Sequence, residues 1–96
     1  MGEKCFPNLR QVDNRIWQYR QIRHLSQQEI GRLLEYKTTA PISNWEKGKK
    51  LPSLINAIRL AEILHSSVEA LFPGLTRYLK NEIEAKAKMP ATQHSR

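Results

Sequence analysis

Residues 26–50, SQQEIGRLLEYKTTAPISNWEKGKK, hold two short helical patterns separated by a turn. The first opens on Ser26-Gln27-Gln28-Glu29. This is a capping box: the Ser26 oxygen accepts from the Glu29 amide, and the Glu29 carboxylate reaches back. Ile30, Leu33 and Leu34 follow at helical spacing and are expected to face inward. Gly31 in mid-helix costs about 1 kcal/mol relative to alanine, which makes sense where another helix must come close. In the second pattern Thr38 or Thr39 is an N-cap candidate, and Ile42 and Trp45 share one helical face. Gly48 stands where a left-handed C-terminal residue is wanted, and Lys47, Lys49 and Lys50 sit at the negative end of the helix dipole.

Pro41 would break the interior of a helix but not its first turn, whose amides lack intrahelical partners. With Thr38 as cap, Pro41 is the third residue of that helix. It also disfavours helical angles at Ala40. The helix is therefore expected to begin a residue or two late, with Thr39 and Ala40 drawn toward the turn.

Outward from this centre the helical spacing continues. A first helix is expected from about Val12 to Arg23, with Asp13 or Asn14 as cap, Ile16 and Tyr19 inward and Leu25 closing the face. Ser53 caps a fourth helix whose apolar face is Leu54, Ala57, Ile58, Ala61 and Leu64. Ser66 or Ser67 opens a short fifth helix through Val68, Leu71 and Phe72, and Pro73-Gly74 stops it. A last helix, Leu75 to about Ala87, places Leu75, Leu79 and Ile83 four residues apart with Tyr78 beside them. No segment alternates apolar and polar for long, so the fold class is all-α.

Ninety-six residues make one compact domain the natural expectation. A net charge of +7 and a pI near 9.9 point to a polyanionic partner. Cys5 is the single cysteine, so no internal disulfide forms, which fits a reducing cytosol. No apolar run is long enough to span a bilayer, and MGEKCFPNLR lacks the apolar middle of a secretory signal. A cytoplasmic protein without membrane attachment is expected. His24, His65 and His94 are scattered with no cysteine or carboxylate at ligand spacing, so no metal and no cofactor is assigned. No serine has histidine and acid partners in a recognisable arrangement, and no glycine loop suits a phosphate, so no catalytic residue is assigned and no enzyme is expected.

Two short helices, a tight connection and a helix flanked by lysines outline a helix-turn-helix. Arg20, the run Leu25 to Gly31, the run Ile42 to Gly48, Leu51-Pro52-Ser53, Leu60-Ala61, Leu64 and Leu71-Phe72 together resemble the Cro/repressor-type (XRE) helix-turn-helix family. The resemblance spans residues 16–72 with its parts in order. It implies a five-helix lambda-repressor-like DNA-binding domain, carrying here an additional C-terminal helix. The third helix would then lie in the major groove of double-stranded DNA. Members usually regulate transcription, often as repressors and as homodimers on palindromic operators.

By position, the resemblance makes Thr39, Ala40, Ser43 and Asn44 base-facing, and makes Gln27 a phosphate contact. It also makes Arg20 and Glu46 a structural ion pair bridging the first and third helices. Thr38, Lys47, Lys49 and Lys50 are further phosphate candidates. Trp45, at helical spacing from Ile42, is expected in the core rather than as a stacking platform. Tyr36 in the turn is a surface residue or a phosphate contact.

The chain departs from the family between Leu34 and Ile42, where EYKTTAP is one residue longer than usual. Glu35 and His24 stand where the family usually has glycine, so the turn is expected to be rebuilt. The organisation expected is a flexible arm over 1–11, the DNA-binding domain over 12–74, an amphipathic helix over 75–88 and a disordered tail over 89–96. The stripe Leu75, Leu79 and Ile83 either packs on the domain, builds the dimer or holds a partner protein. A competing reading follows from it: an antitoxin-like module that binds a partner protein as well as its own promoter. RNA binding has no aromatic-rich sheet or glycine clamp behind it.

Overall fold

The computed structural model describes residues 13–88, which form six helices and, among these residues, no strand. They are α1 (Ile16–Arg23), α2 (Gln27–Leu33), α3 (Ala40–Glu46), α4 (Leu54–Ile63), α5 (Val68–Leu71) and α6 (Pro73–Ala87). The arm over 1–11 with Cys5, and the tail over 89–96 with His94, lie outside the described residues. Each of the first five helices, or its C-terminal cap, sends a fully buried aliphatic side chain into one core: Ile16, Ile30, Ile42, Leu60, Leu64 and Leu71. Trp45 joins them at 5% exposure, so it is a core residue. α6 buries no side chain. Only Leu75, near its start, packs against the core.

Local chemistry explains where the helices start. The α2 capping box is complete: Ser26 Oγ accepts from the Glu29 amide at 3.0 Å, and the Ser26 amide donates to Glu29 Oε1 at 2.7 Å. These hydrogen bonds, the backbone one first, lower the Glu29 pKa. The Ser53 and Ser67 hydroxyls cap α4 and α5 by accepting from the Asn56 and Ala70 amides, without the reciprocal bond. Pro73 both ends α5 and opens α6, since a proline suits the first helical position. The last helix thus begins two residues ahead of Leu75.

α1 begins at Ile16, later than its spacing suggests. The reason is Asn14, whose Oδ1 accepts from the Ile16 amide at 3.1 Å. Its Nδ2 donates to the Trp45 carbonyl at 2.8 Å. The Arg15 amide meanwhile donates to the Leu71 carbonyl at 2.8 Å. Residues 13–15 therefore serve as a tie between α3 and α5 rather than as helix.

Two inward faces differ from expectation. Leu33 is 48% exposed, leaving Ile30 and Leu34 to make the core contacts of α2. On α4 the buried set is Ala57, Leu60, Ala61 and Leu64, whereas Leu54 and Ile58 are 73% and 51% exposed. The α4 sequence LINAIRLAEI gathers Asn56, Arg59 and Glu62 on one side and leaves a wide apolar arc, so periodicity does not fix which part of that arc meets the core. Packing does, by turning the small Ala57 and Ala61 inward.

The first four helices end alike. His24, Glu35, Gly48 and His65 each adopt a left-handed φ, between 55° and 75°. At each, two backbone N–H groups fold back on the preceding turn, as in Leu25→Arg20, Tyr36→Gly31, Lys49→Asn44 and Ser66→Ala61. This is the Schellman motif, which glycine usually completes. His24 and Glu35 therefore complete this motif with a side chain present. A left-handed residue with a Cβ is strained by about 1–2 kcal/mol, partly offset because glycine is freer in the unfolded chain. Glu35→Gly is thus expected to raise the unfolding free energy by roughly 0.5–1 kcal/mol. Urea titration checks this; an unchanged or lower midpoint would show that Glu35 makes a compensating interaction.

Candidate nucleic-acid interface

α2 and α3 are joined by residues 34–39, which pack against their surroundings on two sides. A Cβ on Gly31 would stand 3.4 Å from the Thr38 carbonyl oxygen and 3.7 Å from Ile42 Cδ1. These are ordinary van der Waals separations, so the packing around Gly31 would accept a methyl group and does not itself require the glycine. On the other side, Tyr36 stacks edge-on against Trp45 with ring centroids 5.9 Å apart. Its hydroxyl accepts from Asn56 Nδ2 at 2.8 Å, which pins the turn to α4. Tyr36 is a structural residue of the turn, half-buried, as well as a surface one. In the sequence Asn14 stands out only as a cap candidate, and Asn56 not at all. Both are polar residues whose partners lie 20 and 31 residues away.

α3 starts at Ala40, with Thr39 immediately before it and Pro41 as its second residue. The proline removes only an amide that had no helical partner. Ala40 is helical although a proline follows, so it is not drawn into the turn; the helix begins one residue later than a Thr38 cap would set, with Thr39 left outside it. The Thr39 carbonyl accepts the first helical bond, from the Ser43 amide at 2.9 Å, while its side chain makes no capping bond. Thr38 Oγ1 instead accepts from the Ala40 amide at 3.4 Å.

With Ile42 and Trp45 inward, helical geometry turns Ala40, Ser43, Asn44 and Lys47 outward, at i, i+3, i+4 and i+7. Ala40 and Lys47 are exposed; Thr39, Ser43 and Asn44 are half-buried. The Schellman turn at Gly48 then carries Lys49 and Lys50 into solvent beside this face. A shallow groove of about 420 Å³ runs along it between Asn44 and the start of α4, with Lys50, Ser53 and Asn56 on its wall.

Glu46 holds the helix in place. Arg20 Nε and Nη2 grip its two carboxylate oxygens at 2.6 and 3.1 Å. Arg20 Nη1 also donates to the Leu25 carbonyl at 3.1 Å. Gln27 Nε2 adds a third bond to Glu46, at 3.0 Å. The two charged side chains are only 11% and 8% exposed. This cluster joins α1, the start of α2 and the end of α3. Gln27 is therefore first of all a ligand of Glu46, a role its position in the sequence does not announce.

Among the described residues no three histidines, cysteines or acids stand close enough to hold a metal ion. No helix among them is long and apolar enough to cross a membrane.

Comparison with known proteins agrees with this geometry. The helix-turn-helix family model matches residues 18–71, more than half of the chain. The chain belongs to the Cro/repressor-type (XRE) helix-turn-helix family. No curated protein and no solved structure matches it. In helix-turn-helix terms α2 and α3 are the first and second helices of the motif, and α1, α4 and α5 complete the five-helix domain. The family is one of DNA-binding transcription regulators, and its ligand is double-stranded DNA. α6 is an addition beyond the matched residues.

Proposed function

We propose that this helix-turn-helix protein is a cytoplasmic repressor that binds a palindromic operator as a homodimer and reads the major groove with α3. The observation that carries the reading is the outward row Ala40, Ser43, Asn44 and Lys47 on a helix fixed from behind by Arg20 and Glu46. Asn44 is the discriminating reader, since an amide can pair bidentately with adenine. Ser43 and Thr39 bond to several bases, while Ala40 and the Thr39 methyl suit a thymine methyl. No arginine on α3 is available for guanine. Specificity is correspondingly modest and draws on DNA shape. Thr38, Lys47, Lys49 and Lys50 hold phosphates, and Gln27 adds the second N–H of its amide. No catalytic step has a place in this scheme.

Asn44→Ala tests it. The substitution is expected to flatten preference at one base pair of each half-site, by about 1–3 kcal/mol, and leave neighbouring positions unchanged. Profiles of sites selected from a random duplex pool read this directly. Identical profiles would remove Asn44 from the readout.

A second role is favoured by α6, which buries nothing and leaves Leu79 and Ile83 43% and 61% exposed. Leu75 packs on the core, so the face open to a partner protein, as in an antitoxin, is Leu79 with Ile83. The double substitution Leu79→Glu/Ile83→Glu is expected to abolish partner binding while leaving the melting temperature and DNA affinity unchanged. A drop in DNA affinity would assign α6 to the DNA-binding unit instead.

A further inference from the structure

A cleft of about 400 Å³ lies between the start of α1 and the start of α6. Arg15 and Gln18 line it from α1 and its N-cap, and Gly74 and Arg77 from the first two turns of α6. The two arginines are exposed, and among the described residues neither side chain has a hydrogen-bond or ion-pair partner. The other arginines of α1 are occupied: Arg20 grips Glu46, and Arg23 donates to the Ile63 carbonyl. Gly74 has no structural reason to be glycine. A Cβ there would meet nothing within 4 Å, and its φ is not left-handed. The cleft thus gathers two guanidinium groups, a carboxamide and an unobstructed stretch of backbone against one carboxylate, Asp13.

We propose that this cleft is a phosphate-binding site, made where α6 joins the five-helix domain. A guanidinium fork matches two phosphate oxygens at once, so two forks facing one cleft grip a single anion from two directions. The Gln18 amide supplies a further donor. Both arginines lie outside residues 18–71, so the site is this chain's own addition to the family's domain.

Position favours the duplex backbone as the source of the phosphate. Asn14 lines the cleft and also donates to the Trp45 carbonyl in the last turn of α3. The cleft therefore adjoins the end of α3 that leads into Lys47 and Lys49, and it lengthens the row of cations there. This choice of source rests on the DNA reading above; the binding of phosphate does not.

Inorganic phosphate titrated into the full chain at constant ionic strength, followed by amide NMR, tests the site. The Gly74 amide and the Nε–H groups of Arg15 and Arg77 are expected to shift together and to saturate. Arg15→Ala and Arg77→Ala should each weaken binding roughly tenfold or more, as the loss of a charge-assisted hydrogen bond does. Arg59→Ala removes the same charge from an exposed position of α4 and should leave binding unchanged. Asp13→Asn should tighten it by lifting the opposing charge. All these positions are exposed, and circular dichroism verifies that each variant folds. Resonances that stay still, or that titrate alike in wild type and both arginine variants, overturn the proposal. Duplex binding then identifies the source. If the phosphate is DNA's, Arg15→Ala/Arg77→Ala makes the dependence of log K on log salt shallower by about 0.9. A slope equal to wild type, with phosphate binding lost, assigns the site to a free phosphate-bearing ligand. A chain that binds phosphate here and no duplex would sink the DNA reading and sustain the cleft.

Discussion

Arg20→Ala is expected to destabilise the fold by somewhat less than the roughly 3–5 kcal/mol that stripping one partner from a fully buried ion pair costs, since this pair is part-buried. The removed guanidinium makes three hydrogen bonds, two to Glu46 and one to the Leu25 carbonyl. Left behind, Glu46 is a buried carboxylate with Gln27 as its remaining side-chain partner. Glu46→Ala leaves Arg20 in the mirror situation. Both effects are large against the roughly 5–15 kcal/mol total of an ordinary domain. Replacing both residues with aliphatic ones of similar volume should cost far less than the two single losses combined. A double-mutant cycle in urea reads this coupling. Additive single effects would mean that the pair is solvated and contributes little to holding α3.

The second large effect is on affinity. Replacing Lys47, Lys49 and Lys50 with alanine should make the dependence of log K on log salt shallower by about 0.9 for each phosphate that is no longer neutralised. The three exposed ammonium groups cluster at the end of α3 while Thr39, Ala40, Ser43 and Asn44, the proposed base-facing residues, stay in place, so site preference should survive as affinity falls. Binding isotherms at several salt concentrations separate the two. A slope equal to wild type would place these lysines away from the backbone and leave them as a solvated helix end.

Much of this architecture is legible because it is local. The capping box at Ser26 and Glu29, the left-handed Gly48 and the pairing of Ile42 with Trp45 each need only a few residues of context. Pro41 is legible in kind, as a first-turn residue, and misread by one step, since the helix tolerates Ala40 before it. Misplaced features have a different origin. α4 carries a wide apolar arc, so its sequence could not say that Leu54 and Ile58 face water. His24 and Glu35 adopt a left-handed φ without being glycine, which their residue types do not announce. Asn14 and Asn56 work through partners distant in the chain. The bond from Gln27 to Glu46 is likewise hidden, its partner being nineteen residues away.

The central claim is that the outward row of α3 reads double-stranded DNA. Selection of bound sites from a random duplex library, run with wild type and with Asn44→Ala, tests it most directly. The expected result is an inverted repeat with half-site centres about one helical turn apart, containing one position per half-site whose preference is lost in the variant. Recovery of no enriched sequence, or of the same motif from both proteins, would contradict it.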